Sequence, residues 1–303
     1  MKRYFPLVVL LALMDCQEAK TQTVVATTGA KQQLTIASWN LEWLDTTPKK
    51  AYQRRSDADY KKLQDYAKLL DADIIAFQEV ADEDSIAKVF DQNTYDIILS
   101  SRKNDQRTGF AIRKGIHYQK NSENKALSLG GTVRNGIDIT LTNGRNKLRL
   151  LNVHLKSYCF TNQDETRADR AKDCKKYKKQ IDILDNWIEE REAENIAYAV
   201  LGDFNRRLKR SDDKQARVLL KEDGKKVMTL LGHDDASKCL TQNKHNKKGK
   251  PYRNREFIDH IAFSNKAMAY YQADSFSHHA YQIEDVQTYK ISDHCPVAVD
   301  IML

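Results

Sequence analysis

Carboxylates, amides and histidines recur in this chain at places where an apolar run ends. The set comprises Asn40, Glu42, Gln78, Glu79, Asn152, His154, Asp203, Asn205, Asp259, Asp293 and His294. Carboxylate and amide oxygens are the ligands that hard divalent cations such as Mg²⁺, Mn²⁺ and Ca²⁺ prefer. A histidine beside a carboxylate suits proton transfer near neutral pH, because the carboxylate fixes the tautomer and supports the imidazolium. Together these residue types indicate metal-assisted attack by water.

Each of these residues has a structural explanation when it is considered alone. Asp and Asn are common in turns at strand ends, and a Glu after a strand can cap the next helix. Other hydrolytic chemistries have no support in the sequence, which contains no serine or cysteine nucleophile elbow and no Walker-type loop. The recurrence at successive strand ends favours the functional interpretation, since sites in α/β proteins are built at strand termini.

The predicted strands alternate with helices. Most of these residues lie at strand ends, whereas Asp259 falls inside a strand and Asp293 and His294 stand just before the last one. Strands are predicted at 34–40, 73–80, 108–115, 137–143, 148–156, 197–205, 256–264 and from Val297 to the C-terminus, and amphipathic helices at 57–72 and within 165–194. Many strands with two long helices predict an α/β protein with mixed sheets rather than a doubly wound parallel sheet. The chain of 303 residues has no internal repeat and no Gly/Ser linker, which favours a single domain over residues 33–303.

Six short motifs occur in a fixed order along the chain, namely WNLEW, FQEV, NVHLKS, GDFN, FIDHI and SDHCPV. This ordered set resembles the endonuclease/exonuclease/phosphatase superfamily, which includes pancreatic-type deoxyribonucleases, abasic-site endonucleases and neutral sphingomyelinases. The resemblance implies a four-layered α/β sandwich, in which two mixed β-sheets pack face to face and are flanked by helices. It also implies a divalent-metal-dependent phosphodiesterase that uses Mg²⁺, with Mn²⁺ or Ca²⁺ as alternatives.

The resemblance further implies which residues hold the metal and the phosphate. Glu79 matches the principal metal-ligating glutamate, with Asn40 and Asp293 nearby. Glu42 matches an often acidic position that holds metal through water. The looser motif TVRNGIDIT implies a phosphate contact for Arg134.

Catalytic roles are implied in the same way. His294 resembles the histidine that contacts the scissile phosphate and serves as general base, oriented by Asp259. Asp203 and Asn205 resemble the pair that orients the nucleophilic water and stabilises the pentacovalent transition state. His154 would steady the phosphate or help to protonate the leaving oxygen.

The N-terminal segment predicts export. Two basic residues precede the apolar run 5–14, which is too short to span a bilayer and is typical of a secretory signal. Residues 1–26 are therefore expected to form a leader. Cys16 stands where a bacterial lipoprotein carries its lipidated cysteine, although Asp15 fits that pattern poorly; beyond such an anchor no stable membrane insertion is expected.

The four other cysteines are Cys159, Cys174, Cys239 and Cys295. An even number in an oxidising compartment predicts two disulfides, for which three pairings are possible. The preferred hypothesis is Cys159–Cys174, which would link a strand end to the long helix, together with Cys239–Cys295, which would tie the start of a basic loop to the last strand.

The charge balance bears on the substrate. Lys and Arg total 50 against 42 Asp and Glu, a net charge of +8, and several basic residues cluster in KHNKKGKPYRNRE at 244–256. Such a segment is either a solvated loop or a surface that attracts polyanions. We therefore favour an exported, monomeric nuclease that hydrolyses DNA, with RNA as an alternative.

Three other functions are compatible with the same core. A lipid phosphodiesterase would carry an exposed aromatic hairpin, whereas Trp39, Trp43 and Trp187 all fall in predicted core elements. A phosphatase of the same fold would share the site. A non-catalytic polyanion-binding module would have lost at least one metal or phosphate group, and every expected one is present.

Overall fold

The structure is a computed structural model that describes residues 31–50, 53–222, 224–232, 236–242, 251–253 and 256–303. The predicted leader, Cys16 and most of the basic segment 244–256 lie outside the described residues. No helix in the described part of the chain has the length and apolar character that a membrane crossing requires.

The described residues form β-strands and a smaller number of α-helices. The strands are β1 (Gln33–Leu44), β2 (Ile74–Val80), β3 (Tyr95–Leu99), β4 (Arg107–Arg113), β5 (Tyr118–Lys120), β6 (Ile137–Asn143), β7 (Asn146–His154), β8 (Tyr198–Asp203), β9 (Lys221–Glu222), β10 (Lys225–Lys226), β11 (Met228–Leu230), β12 (Leu240–Gln242), β13 (Pro251–Arg253), β14 (Asp259–Ser264), β15 (Ser277–His278) and β16 (Val297–Met302). The helices are α1 (Asp57–Leu70), α2 (Glu83–Ala87), α3 (Ala171–Ala193), α4 (Lys214–Leu220) and α5 (Ile283–Thr288).

Two six-stranded mixed sheets form the centre of the molecule. Their strand orders are β15-β16-β1-β2-β4-β3 and β11-β14-β8-β7-β6-β5. The pairs β1–β2 and β7–β8 are parallel, and the other neighbouring pairs are antiparallel. Because these pairs are parallel, β1 and β2 end at the same edge of the first sheet, and β7 and β8 end at the same edge of the second.

The two sheets pack face to face and helices cover their outer faces. The apolar layer between the sheets includes Ile36 from the first sheet and Leu150 and Phe263 from the second, all fully buried. Helix α1 packs outside the first sheet through residues such as Leu63, and α3 packs outside the second through residues such as Leu184. The mixed-sheet, four-layered sandwich expected from the sequence is confirmed.

Several predicted elements differ from the structure at their ends. The helix predicted over 57–72 ends at Leu70, because Asp71 adopts a left-handed conformation with φ of 43°. The long helix predicted within 165–194 is confirmed as Ala171–Ala193, and two 3-10 turns at Asp164–Thr166 and Ala168–Arg170 precede it. The strand predicted over 256–264 begins at Asp259.

Both preferred disulfides are present in the structure. Cys159 is bonded to Cys174 across 15 residues of sequence, and Cys239 is bonded to Cys295 across 56. The first attaches the loop after β7 to helix α3. The second attaches the start of β12 to the segment just before β16.

Candidate active site

The predicted site residues converge on one cleft of about 860 Å³ at the edge where β1, β2, β7 and β8 end. Those that line it are Glu42, Glu79, Arg134, His154, Asp203, Asn205, Asp293 and His294. Asn40 and Asp259 lie directly behind this lining and are hydrogen-bonded to Asp203 and His294, respectively. The structure therefore brings together all ten residues to which the resemblance assigned a role.

Irregular backbone at the ends of β1 and β2 turns their carboxylates toward the cleft. The register between the two strands shifts after Asn40. Glu42, Trp43 and Glu79 have positive φ angles of 46°, 50° and 61°. Left-handed backbone is unfavourable for non-glycine residues and persists where the surrounding structure holds it in place. Because a regular strand would alternate its side chains between two faces, this irregularity allows Glu42 and Glu79 to share one site.

Arg55 holds the irregular end of β1 in place. Its guanidinium donates hydrogen bonds to the carbonyl oxygens of Leu41, Glu42 and Trp43, and to those of Lys290 and Ile291 in the segment before β16. The arginine thus ties the metal-binding candidates of β1 to the Asp293–His294 segment. Sequence analysis missed this residue, because nothing in its local pattern distinguishes it from other surface arginines.

Gly202 places Asp203 at the end of β8. Its φ is 136°, and a Cβ atom at this position would lie 2.0 Å from the carbonyl oxygen of Val153 on the neighbouring strand. Only glycine permits so close an approach with that backbone conformation. The glycine of the GDFN motif therefore brings the ends of β7 and β8 together, with His154 opposite Asp203.

A buried hydrogen-bonded cluster forms the floor of the cleft. The Nδ2 of Asn40 lies 3.0 Å from Oδ2 of Asp203 and 3.3 Å from Oε1 of Glu79 and donates to both. The Oδ1 of Asn40 accepts from the backbone N–H of Glu42 at 2.9 Å, which fixes the orientation of the amide. In this structure Asn40 thus links two carboxylates through its N–H groups, while its assignment as a metal ligand stays a prediction.

Burial changes the pKa of both groups at the centre of this floor. Asp203 accepts from the backbone N–H and the side-chain amide of Asn205, at 2.7 and 2.9 Å. Desolvation nevertheless raises the pKa of Asp203 to about 7, and repulsion from Asp259 and Glu79 adds to the effect. Burial also lowers the pKa of His154 well below its usual value, with a further contribution from the positive charge of Arg134.

His294 and Asp259 form the second functional pair. The Nδ1 of His294 lies 2.7 Å from Oδ2 of Asp259, and its Nε2 lies 4.0 Å from Oδ2 of Asp203 and 3.8 Å from Oδ1 of Asp293. Burial by itself lowers the pKa of His294, but the Asp259 and Asp203 carboxylates outweigh it, so the pKa lies well above its usual value. With Nδ1 engaged by Asp259, Nε2 is the atom available to a ligand in the cleft.

Arg134 supplies positive charge to the lining of the cleft. Its side chain is 7% exposed, and Nη2 donates to the carbonyl oxygen of Leu155. Its Nε has no hydrogen-bond partner among the described residues. Burial lowers the pKa of Arg134 to about 10, which still leaves the guanidinium charged at neutral pH. A buried donor without a partner on the wall of a cleft is suited to an anionic ligand such as phosphate.

The donor set fits a hard divalent cation. Glu42, Glu79 and Asp293 bring carboxylate oxygens to one cleft, and such oxygens are the preferred ligands of Mg²⁺ and Mn²⁺. In a second group, Asp203, Asp259 and His294, the potential ligand atoms lie within 4.8 Å of one another. We favour the first group for the metal, because the short hydrogen bond between Asp259 and His294 already occupies a ligand atom of each in the second.

Two strand-end residues point away from the cleft. The Nε2 of Gln78 donates to Oδ1 of Asn152 at 2.9 Å, and Nδ2 of Asn152 donates to the carbonyl oxygens of Phe77 and Gly109. These amides join the two sheets behind the site, so the structural explanation is correct for them. The cleft is also lined by Lys156, Tyr158 and Phe160 from the loop after β7, which sequence analysis did not select. Only Lys156 had a sequence signal, as part of the NVHLKS motif.

Comparison with known proteins agrees with this architecture. The family model described as the endonuclease/exonuclease/phosphatase family matches residues 37–294. No curated protein sequence matches the chain significantly.

Solved structures with a similar fold include proteins from animals and bacteria. TDP2 of D. rerio, complexed with a single strand DNA product, has a TM-score of 0.62 at 22% identity, covering 89% of this chain and 98% of that one. An endonuclease/exonuclease/phosphatase from Bacteroides vulgatus has a TM-score of 0.61 at 14% identity, covering 90% and 100%. The 3' phosphatase NExo from Neisseria, bound to a product DNA hairpin, has a TM-score of 0.54 at 15% identity, covering 88% and 98%. At these identities the comparison shows a common fold.

Proposed function

Because the chain belongs to the endonuclease/exonuclease/phosphatase family, we propose that it is a divalent-metal-dependent phosphodiesterase, an exported nuclease that hydrolyses DNA by attack of water. The observation that carries the proposal is the single cleft in which carboxylates suited to a cation face a charged arginine and a carboxylate-bound histidine. A bound Mg²⁺ or Mn²⁺ would polarise the phosphate and promote formation of hydroxide from water.

Some of the side chains then act on the phosphate, and others act on the attacking water. Arg134 and Nε2 of His294 approach the phosphate as hydrogen-bond donors, since the pKa of His294 is raised and Asp259 holds its other nitrogen. Asp203, whose pKa is raised to about 7, accepts a proton from the attacking water. The general-base role that the resemblance implied for His294 is thereby reassigned to Asp203 in this proposal, and Asn205 orients that carboxylate.

His154 would assist the leaving oxygen. Its Nε2 lies 3.3 Å from Oδ2 of Asp203 and 3.6 Å from Oε1 of Glu79. Its Nδ1 has no hydrogen-bond partner among the described residues. The ring is neutral at neutral pH because its pKa is lowered, so it can donate one hydrogen bond without adding a full charge.

Nucleic acid is the substrate that several observations favour. The net charge of +8 attracts polyanions, and two neighbours of the same fold are complexed with DNA products. Trp39 and Trp187 are buried, which argues against their use as membrane contacts, whereas Trp43 lines the cleft rather than the core where it was predicted. The two disulfides support export, since such bonds persist in oxidising compartments.

A substrate panel tests this proposal. The purified protein is assayed with single-stranded DNA, duplex DNA, RNA and sphingomyelin vesicles, each with Mg²⁺, Mn²⁺ or EDTA. We expect DNA cleavage that EDTA abolishes. Glu79→Gln should be inactive, whereas Glu83→Gln, a matched change at an exposed glutamate on α2, should retain activity. Cleavage that persists in EDTA, or hydrolysis of sphingomyelin alone, would contradict the proposal.

A further inference from the structure

A pair of aromatic side chains, the exposed Tyr158 and the half-buried Phe160, borders the candidate active site. Tyr158 and Phe160 both line the cleft, and their rings meet edge to face with centroids 6.4 Å apart. Tyr158 is 50% exposed, and it is one of few large apolar side chains that the described residues leave this open to solvent. Cys159 between them is fully buried, so two side chains that flank it project toward the cleft.

The backbone that carries this pair is strained and firmly held. Tyr158 has a φ of 70°, a conformation that costs a tyrosine free energy and persists where the surroundings enforce it. The disulfide to Cys174 and the bond from Arg206 to the carbonyl oxygen of Cys159 provide that enforcement. The backbone N–H of Arg207 donates to the carbonyl oxygen of Phe160 at 3.0 Å. A loop held so rigidly in an unfavourable conformation presents Tyr158 in a fixed position.

Two cationic side chains lie over the ring of Tyr158. The Nζ of Lys156 lies 5.1 Å from the ring centroid, and the guanidinium of Arg170 lies 4.7 Å from it. Both cations also pair with acids, Lys156 with Asp173 and Arg170 with Asp169, and these ion pairs help to hold them in place. The ring thus combines a fixed orientation, an exposed aromatic surface and nearby positive charge.

We propose that Tyr158 and Phe160 form a stacking subsite for a nucleobase next to the scissile phosphate. Aromatic rings beside positive charge are the recurring means by which proteins bind single-stranded nucleic acid without reading its sequence. A base inside a duplex is stacked on its neighbours, so the subsite selects a base that is unpaired or has left the duplex. The proposal rests on the proposed nuclease function and specifies its substrate as single-stranded or frayed DNA.

The experiment compares two single-stranded oligonucleotides that share one phosphodiester backbone. One carries bases throughout, and the other has base-free tetrahydrofuran residues beside the scissile phosphate. The value of kcat/KM is measured for both with the wild type, Tyr158→Ala, Tyr158→Phe and Phe160→Ala. Leu69→Ala serves as a control for truncating an exposed apolar side chain, since Leu69 is 73% exposed on α1. Circular dichroism verifies that each variant is folded.

We expect the wild type to prefer the base-bearing oligonucleotide. Tyr158→Ala should reduce kcat/KM on that substrate by about 5- to 150-fold, the range for loss of one stacked base. Tyr158→Ala should also lose the preference for the base-bearing over the base-free oligonucleotide, whereas Tyr158→Phe and Leu69→Ala should retain that preference. An equal loss on both substrates, or no loss on either, would overturn the subsite.

Two further readouts separate this inference from the proposed function. If the wild type cleaves neither oligonucleotide, the nuclease proposal fails. Stacking is then read from quenching of a fluorescent aminopurine in the bound strand, which Tyr158→Ala should abolish. Binding to sphingomyelin vesicles that depends on Tyr158, without an effect on the oligonucleotides, would assign the pair to a membrane and refute the subsite.

Discussion

Replacing Asp259 with asparagine tests the pair that it forms with His294. The carboxylate accepts from Nδ1 at 2.7 Å. A hydrogen bond that involves a charged group contributes about 1.5–3 kcal/mol, and a neutral one about 1 kcal/mol. Because the amide oxygen introduced by Asp259→Asn would still accept from Nδ1, the loss should be about 0.5–2 kcal/mol, or about 2- to 30-fold in turnover.

This loss should be smaller than that caused by removing the imidazole. His294→Ala is expected to reduce turnover by about two to four orders of magnitude, the usual contribution of an acid–base group. The loss of about 2- to 30-fold applies when the amide oxygen faces Nδ1. The Oδ1 of Asp259 has no hydrogen-bond partner among the described residues, so the amide in its place is free to rotate. If the N–H group of that amide faced Nδ1, the wrong tautomer would be favoured and the loss would approach that of His294→Ala.

The assay has a kinetic and a spectroscopic arm. Turnover of single-stranded DNA is measured in Mg²⁺, and the imidazole of His294 is titrated by NMR in the metal-free protein. The pKa of His294 should fall in Asp259→Asn, because a carboxylate that raises it is replaced by a neutral group. Asp300→Asn is the matched control, since Asp300 accepts from the Thr35 hydroxyl on the far part of the first sheet. Wild-type turnover together with an unchanged His294 pKa would refute the reasoning.

Three other predictions concern metal binding and stability. Mg²⁺ or Mn²⁺ should raise the Tm of the wild type, by mass action on the folded state, and Glu79→Gln should lose that rise in calorimetry; an equal rise in both would place the metal elsewhere. Burial lowers the pKa of His260 to about 4 from 6.5, so the unfolded chain binds a proton more readily between these values. The stability that this neutral histidine contributes should be present above about pH 6.5 and lost as the pH falls toward 4, by about 3 kcal/mol. Urea unfolding of the wild type and of His260→Gln across that pH range should show the difference between their free energies of unfolding changing by this amount. A difference that stays constant with pH would be inconsistent with the prediction. Replacing Cys159 and Cys174 together by serine should lower the free energy of unfolding by about 3 kcal/mol, as for the loss of a cross-link that closes a loop of 15 residues; an unaltered denaturation midpoint would contradict this.

The locations of the main strands and of the polar residues near their ends could be predicted from local pattern. The strand predicted at 137–143 has the bounds of β6, because alternation of apolar side chains is a property of consecutive residues. Polar residues directly after such runs had to lie at strand ends. Of the three possible pairings of the four cysteines, the structure contains the one that was preferred.

Local pattern did not distinguish which strand-end residues face the cleft. Gln78 and Glu79 are neighbours, yet Gln78 joins the two sheets and Glu79 lines the cleft. The difference depends on the register shift between β1 and β2 and on the left-handed backbone at Glu79, which packing across the sheets enforces. Short helices and strands such as α4 and β3 were missed, because a few residues give too little periodicity to recognise.

The sequence by itself determined which types of candidate site residue are present and in which order the strands carry them, since residue types and strand periodicity are encoded in consecutive residues. Only the tertiary structure decided in which direction the pKa of each of these residues is shifted. Asp203 and His294 have opposite intrinsic charges, and the pKa of each is raised for a different reason: desolvation for Asp203, and the surrounding carboxylates for His294. Burial and through-space charge depend on residues that are distant in sequence, such as Asp259 and His294, 35 positions apart. The fixed position of Tyr158 at the cleft is likewise set by a disulfide and a buried arginine that local sequence does not reveal.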